Sequence, residues 1–262
     1  MSNSNSLPPF QKLERPEAAV NVDRQADGSV ILSCPRPLPE HPDSLIDHLI
    51  DNARDVPDRI FLAERQTIDG KQCGDWINMT WQQCLDRTDA VAQWLLDQGF
   101  GPETPVMILS ENSLAQATLM FGAMSVSAPL VQVSPAYSLL STDYDKLKFI
   151  FELTVPKLIF VEDGSRFASA LAALPIDNIP VICVRDPLPG SLDCADLLAT
   201  EKTTAVDDAR AKITLDTVSK VLFTSGSTGM PKGVINTHRM MCVVQSMLED
   251  IRDAQDDKTT VV

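Results

Sequence analysis

Three observations predict an α/β fold, with layered sheets flanked by helices. Short β-branched apolar runs alternate along the chain with longer stretches of helical periodicity. One such run, Pro105–Leu109, reads as a strand buried in a sheet covered by helices. At 262 residues and 44% hydrophobic content, the chain can bury a sizeable core, in one large domain or two small ones.

The elements follow in order. Residues 1–17 read as a frayed tail. Ala18–Arg24 and Ser29–Cys34 flank Gln-Ala-Asp-Gly and predict a hairpin, and Pro35–Pro42 is extended. Asp43 or Ser44 starts a helix that turns Leu45, Ile46, Leu49, Ile50 and Ala53 inward and ends at Pro57. Ile60–Thr67 and Asp75–Met79 form a second hairpin around Asp69-Gly70. Thr80 with Gln83 makes a capping box for a helix reaching Gln98, and Gly99 stops it. After the Pro105–Leu109 strand, Asn112 or Ser113 caps a helix to Ser125. Leu130–Val133 is a strand, Asp143–Leu153 a helix, Lys157–Val161 a strand, Arg166–Leu174 a helix and Val181–Val184 a strand. Residues 186–216 read as irregular and partly helical. Asp55, Asp58 and Asp143 are read as caps and turns.

The net charge of −14 argues against nucleic acid and anionic membranes as partners. Six cysteines, at 34, 73, 84, 183, 194 and 242, include no C-x-x-C pair, so reduced thiols are expected rather than disulfides or zinc. The three histidines, His41, His48 and His238, do not cluster as metal ligands. Met1–Ser6 is polar, and no stretch approaches 18 apolar residues, so a cytoplasmic protein without a membrane span is expected.

The chemistry concentrates in Thr224–Gly233, TSGSTGMPKG. Glycines permit the positive φ angles that aim successive backbone amides at one anion. Thr224, Ser225, Ser227 and Thr228 add hydroxyls, and Lys232 adds a mobile positive charge. The expected ligand is a polyphosphate. Lys232 and Arg239 are the local cations set against an acidic background. A strand, Val218–Thr224, precedes the loop and another, Gly233–Asn236, follows it. Thr237 then caps a helix over His238–Asp250 with Met241, Val244, Ser246, Met247 and Ile251 near one face. A Walker loop needs Gly-Lys-Ser/Thr running into a helix, whereas here Gly233 follows Lys232 and a strand comes next. The dinucleotide fingerprint fails because Gly226 is followed by Ser-Thr-Gly. A flexible Gly/Ser linker would have no need of the Pro-Lys-Gly ending. His238, at a helix start, is read as a packing or capping residue rather than a base.

TSGSTGMPKGV resembles the phosphate loop of the AMP-forming adenylating superfamily, which comprises acyl-CoA synthetases, aryl-CoA ligases, luciferases and peptide-synthetase adenylation domains. Thr80–Gly99, the Val106–Leu109 strand, Glu111-Asn112-Ser113 and SPAYS at Ser134–Ser138 resemble its amino-terminal region. The continuation SPAYSLLSTDYDKL is most similar to feruloyl-CoA synthetases. The similarity spans residues 40–250. Where many relatives carry Ala-Gly before the proline strand, this chain has Ser125-Val126-Ser127-Ala128-Pro129, a packing variation.

The resemblance implies part of the large N-terminal domain of an adenylate-forming ligase: residues 1–40 as tail and hairpin, and 41–262 as the AMP-binding domain, truncated. It implies a carboxylic acid, ATP and CoA as substrates. The carboxylate attacks the α-phosphate to give acyl-adenylate and pyrophosphate, and a thiol then takes the acyl group. Thr224, Ser225, Gly226, Ser227, Thr228, Gly229 and Lys232 would hold the β- and γ-phosphates, with the Thr228 hydroxyl near Mg²⁺. No catalytic residue is placed within these 262 residues, since the family's remaining equipment lies further along its chains. The chain alone is therefore expected to be inactive, and Thr259–Val262 to begin a strand of a longer protein. Oligomerisation stays open. A non-catalytic phosphate- or nucleotide-binding module complete at 262 residues is the competing reading.

Overall fold

The computed structural model describes residues 19–68, 71–224 and 229–251, in two units: residues 1–41 with 242–262, and residues 42–241. The first unit carries β1 (Asn21–Arg24) and β2 (Val30–Ser33), an antiparallel hairpin. Gly28 takes φ +87° in its turn, and the Asp27 carboxylate accepts from the backbone N–H and hydroxyl of Ser29. Every residue of the two strands is exposed. Within the same unit the Ser246 hydroxyl donates to the Glu40 carbonyl. The expected tail at 1–17 and strand start at Thr259–Val262 lie outside the described residues.

The second unit begins with α1 (Leu45–Asp55), where Ser44 and Asp47 form a reciprocal capping box. β3 (Ile60–Ile68) and β4 (Lys71–Thr80) pair antiparallel as a separate two-stranded sheet; the expected Asp69-Gly70 turn lies outside the described residues. Thr80 and Gln83 cap α2 (Trp81–Asp97), and Gly99 follows it at φ +79°. Next come β5 (Val106–Leu109), α3 (Leu114–Ser125) capped by Ser113, and β6 (Leu130–Gln132).

The central stretch departs from expectation in detail. Pro135–Leu139 of the SPAYS segment forms a short helix, α4, with proline in its first turn. α5 (Asp145–Thr154) starts two residues later than predicted because Tyr144 adopts a left-handed φ of 56°. The Asp143 carboxylate accepts from the Asp145 N–H and the Ser141 hydroxyl, which hold it below the usual carboxylate range. β7 (Leu158–Asp163) runs two residues further than predicted, into α6 (Gly164–Ala172), because Asp163 caps that helix by accepting from the Arg166 N–H at 3.0 Å. β8 (Val181–Arg185) is as predicted within a residue. The region read as irregular contains β9 (Leu192–Asp193), α7 (Cys194–Leu198) and α8 (Thr204–Arg210). α8 is tied down by Arg210, which donates to Asp89 and to the Ser125 hydroxyl, and by Thr203, which donates twice to Gln93 Oε1. β10 (Val218–Thr224), β11 (Lys232–Thr237) and α9 (His238–Ile251) complete the order, α9 spanning the division between the units.

Seven strands form one sheet in the order β11-β10-β6-β5-β7-β8-β9. Every pairing is parallel except β10–β11. Alternate residues face opposite ways, as a pleated strand requires. Val106, Ile108, Leu130, Leu158, Phe160 and Ile182 pack with α1, α2, α3, α7 and α8. Met107, Leu109, Val131, Ile159, Val161 and Cys183 pack with α4, α5 and α6. Gly122 allows α3 to cross α2 closely, since a Cβ there would overlap Val91.

Two expectations for α9 need correction. Val244 and Met247 are exposed, and the buried positions are His238, Cys242 and Ser246. That i, i+4, i+8 stripe wins over the apolar one because the two polar residues on it are hydrogen-bonded at their buried positions. Among the described residues no helix is long and apolar enough to cross a membrane.

Candidate functional site

β10 runs parallel to β6 and β5 and delivers Thr224 to the carboxyl ends of the parallel strands. Ligands of open α/β sheets bind in crevices at these ends, next to the point where successive strands depart in opposite directions. Here β6 lies on one side of β5 and β7 on the other. The chain returns as β11, antiparallel to β10, with Thr224 paired to Lys232 and Phe223 to Gly233. The loop therefore joins two strands rather than a strand and a helix, as Pro231 and Gly-Val-Ile predict.

Local chemistry explains this hairpin. The Thr224 hydroxyl donates to the Lys232 carbonyl at 3.4 Å, closing the loop at its base. Pro231 is buried, while Gly229, Met230 and Lys232 are exposed. A Cβ at Gly233 would press on Val221 and on the Phe223 ring, so glycine lets β11 lie flat on β10. A Cβ at Gly229 would meet open space. The structure thus brings Thr224 and Lys232 together and keeps Gly229 exposed beside them. Ser225, Gly226, Ser227 and Thr228 lie outside the described residues.

The far end of the hairpin is pinned separately. The His238 N–H donates to the Thr217 carbonyl and the Arg239 N–H to the Leu215 carbonyl. The Arg239 guanidinium makes two bonds to Asp216, at 3.0 and 3.1 Å. The expectation of Arg239 as a local cation of the loop is corrected by this pairing. Arg239 is committed to Asp216, two residues past the end of β11, a strand that itself spans about 17 Å from Lys232 to Thr237.

His238 is fully buried. Its Nδ1 lies 3.3 Å from both the Ser44 hydroxyl and the Leu45 N–H, so it accepts from the first turn of α1. Ser44 Oγ accepts in turn from the Ile46 N–H. This arrangement needs neutral imidazole, and burial pushes the His238 pKa down to about 4. The residue ties the hairpin to α1 and stands away from the loop.

A polar cavity of about 480 Å³ opens at the carboxyl ends of β5, β7 and β8. Glu162 is buried there, ion-paired to Arg185 at 2.8 Å and accepting from the Ser110 hydroxyl. Burial raises the Glu162 pKa, and the Arg185 guanidinium only partly opposes it. Glu111 and Arg166 form a second pair at 2.7 Å. Of these four residues only Glu111 belongs to a motif visible in the sequence. Arg166, Glu162 and Arg185 carry no local pattern, because their meeting depends on strand order. Among the described residues no group of three or more His, Cys, Asp or Glu could hold a metal ion.

The candidate site is thus a strand–loop–strand hairpin at the carboxyl edge of a mostly parallel sheet in an α/β protein. Residues 49–262 match the family described as AMP-binding enzyme, and the chain belongs to that family. The dimodular nonribosomal peptide synthase of Bacillus subtilis (strain 168) is 26% identical over 163 residues, which are 62% of this chain and 6% of that protein. A propanoyl:CoA ligase of Rhodococcus jostii (strain RHA1), whose acyl group carries a methyl-dioxo-octahydroindenyl ring system, is 30% identical over 200 residues, 71% of this chain and 38% of that protein. The N-terminal domain of FACL13 from Mycobacterium tuberculosis shares the fold with a TM-score of 0.55 and 20% identity, over 75% of this chain and 45% of that one. The chain thus spans less than half the length of each of these proteins.

Proposed function

We propose that the chain is the amino-terminal, phosphate-gripping part of an ATP-dependent acid–thiol ligase, which makes an acyl-adenylate and then an acyl-CoA. The observation that carries this reading is the closed β10–β11 hairpin, with Thr224 and Lys232 paired at the carboxyl edge of the sheet. In this reading Thr224, Ser225, Gly226, Ser227, Thr228, Gly229 and Lys232 hold the β- and γ-phosphates of ATP. Lys232 is exposed and makes no ion pair among the described residues, so its charge is free to meet a phosphate. Mg²⁺ would accompany the nucleotide and offset phosphate charge, with the Thr228 hydroxyl as the protein group assigned to its side.

The SPAYSLLSTDYDKL segment supports an aryl acid of the feruloyl type. Residues 1–40 are assigned to an appendage and 41–262 to the adenylating domain. ATP and CoA as substrates imply a cytoplasmic location. Residues 1–262 alone are assigned no turnover, because phosphate contacts leave the α-phosphate unpositioned, and positioning supplies much of the rate in such chemistry. The test is acyl-CoA formation by purified 1–262 with ATP, CoA and a panel of aryl and fatty acids. None is expected. Turnover that is abolished by Lys232→Ala would show that the chain is a complete enzyme.

A further inference from the structure

The parallel strands place another cavity at the edge of the sheet opposite Thr224. Thr104 precedes β5, Lys157 precedes β7, Pro180 precedes β8 and Leu192 opens β9, so all four lie at the amino ends of parallel strands. Together with the end of α2 they line a cavity of about 350 Å³. Its floor is aromatic because of how α2 ends. Trp94 stands in the last turn, Gly99 turns the chain at φ +79°, and Phe100 follows. The two rings lie with centroids 6.4 Å apart and planes 27° apart, close to an offset stack. Phe100 is buried and Trp94 half-buried, so the core holds both rings in place from behind. Pro180 and Leu192 add apolar walls.

The polar groups of the cavity are few and unspent. Among the described residues that line it, Lys157 is the sole charge. It is exposed and makes no side-chain hydrogen bond or ion pair among the described residues. In a chain with 36 acidic and 22 basic side chains, a lysine left without a carboxylate stands out. The last carbonyls of α2, which a nearby lysine often meets, are already taken: the Gly99 N–H donates to the Leu96 carbonyl and the Phe100 N–H to that of Leu95. The Gln98 side-chain amide, also on the lining, is likewise without a partner among the described residues.

We infer that this cavity binds a small aromatic carboxylate, with its ring against Trp94 and Phe100 and its carboxylate on Lys157 and the Gln98 amide. The volume is near the lower end for ligand pockets, roughly 300–1,000 Å³, which suits one ring system and not a long acyl chain. One lysine balances one negative charge. A nucleotide carries more, and the acidic chain repels what a single lysine leaves unbalanced. β7 separates Lys157 from the carboxyl edge by six residues, about 20 Å, so an acid held here is out of reach of a nucleotide at Thr224–Lys232. The site is therefore separate from the adenylation proposed above and does not depend on it.

The experiment titrates benzoate into purified 1–262 at low salt, read by ligand-observed NMR. Saturable binding is expected, with a dissociation constant on the order of 1 mM for so small a ligand. Benzyl alcohol and benzylamine keep the ring but lose or reverse the charge, and each should bind about tenfold more weakly or not at all. Lys157→Met and Gln98→Glu, both at exposed positions, should each weaken benzoate about tenfold with the melting temperature unchanged. Lys232→Ala, at the other edge, should leave it unchanged. AMP, which offers a base and a phosphate, should not displace benzoate. No saturable benzoate binding to the folded chain, or binding indifferent to both cavity variants, overturns the inference. Equal binding of benzyl alcohol overturns the role of Lys157, and displacement by AMP makes a nucleotide the occupant instead. Loss of benzoate binding in Lys232→Ala alone would move the acid to the hairpin and remove this site.

Discussion

The sheet is built to two standards. Around β5, β7 and β8 both faces are buried, and apolar side chains alternate into two cores. Around β10 and β11 one face opens on a groove, and the last strand is exposed along most of its length. The Thr224–Lys232 hairpin, the proposed phosphate loop, sits on the second, less covered region. The most deeply buried strands lie away from the hairpin, and the proposed site falls where the sheet is least covered. Local stability differences of this kind separate scaffold from working parts in many folds.

Core truncation puts that contrast under the greatest load. Phe160→Ala, at a fully buried position on β7, should cost about 3–5 kcal/mol. Phe223→Ala on β10 should cost about 1–2 kcal/mol, because its ring is already partly in water at the groove. Urea denaturation of both variants decides it, and equal costs would erase the distinction.

A smaller effect is expected at the far end of the hairpin. His238 has its pKa depressed from 6.5 to about 4, so the unfolded chain binds the extra proton first as pH falls. Stability is complete above 6.5 and is lost progressively toward 4, by up to about 3 kcal/mol. His238→Asn keeps an acceptor for the Leu45 N–H and cannot be charged. Its stability should be flatter over the same window, as read by thermal melts at stepped pH. An unchanged slope would remove His238 from the tie between β11 and α1.

Weaker again is the capping box of α2. Thr80→Ala loses the bond to the Gln83 N–H and should cost about 1 kcal/mol by denaturation. It lies on the well-packed side and should leave nucleotide binding untouched.

Much of this is legible in the sequence because the signals are local. Thr80 with Gln83, Gly99 and Ser113 mark helix ends within a residue, and Pro231 with Gly-Val-Ile marks the hairpin. What is not legible depends on tertiary partners. The inward face of α9 follows His238 and Ser246, whose bonds reach α1 and Glu40, rather than Val244 and Met247. The fate of Arg239 depends on Asp216, 23 positions earlier. The pairing of Glu162 with Arg185 depends on β7 lying next to β8.

Lys232→Ala should change stability least of all, within about 0.5 kcal/mol, because the side chain is exposed on a strand edge. Its effect on ligand binding carries the central claim. Pyrophosphate titrated calorimetrically into wild-type 1–262 should bind weakly at low salt and lose affinity as salt rises, since the contact is charge on charge near the surface. Lys232→Ala should abolish it with the melting temperature unchanged. Binding of equal strength in the variant, or none in the folded wild-type chain, would contradict the assignment of Thr224–Lys232 as the phosphate loop.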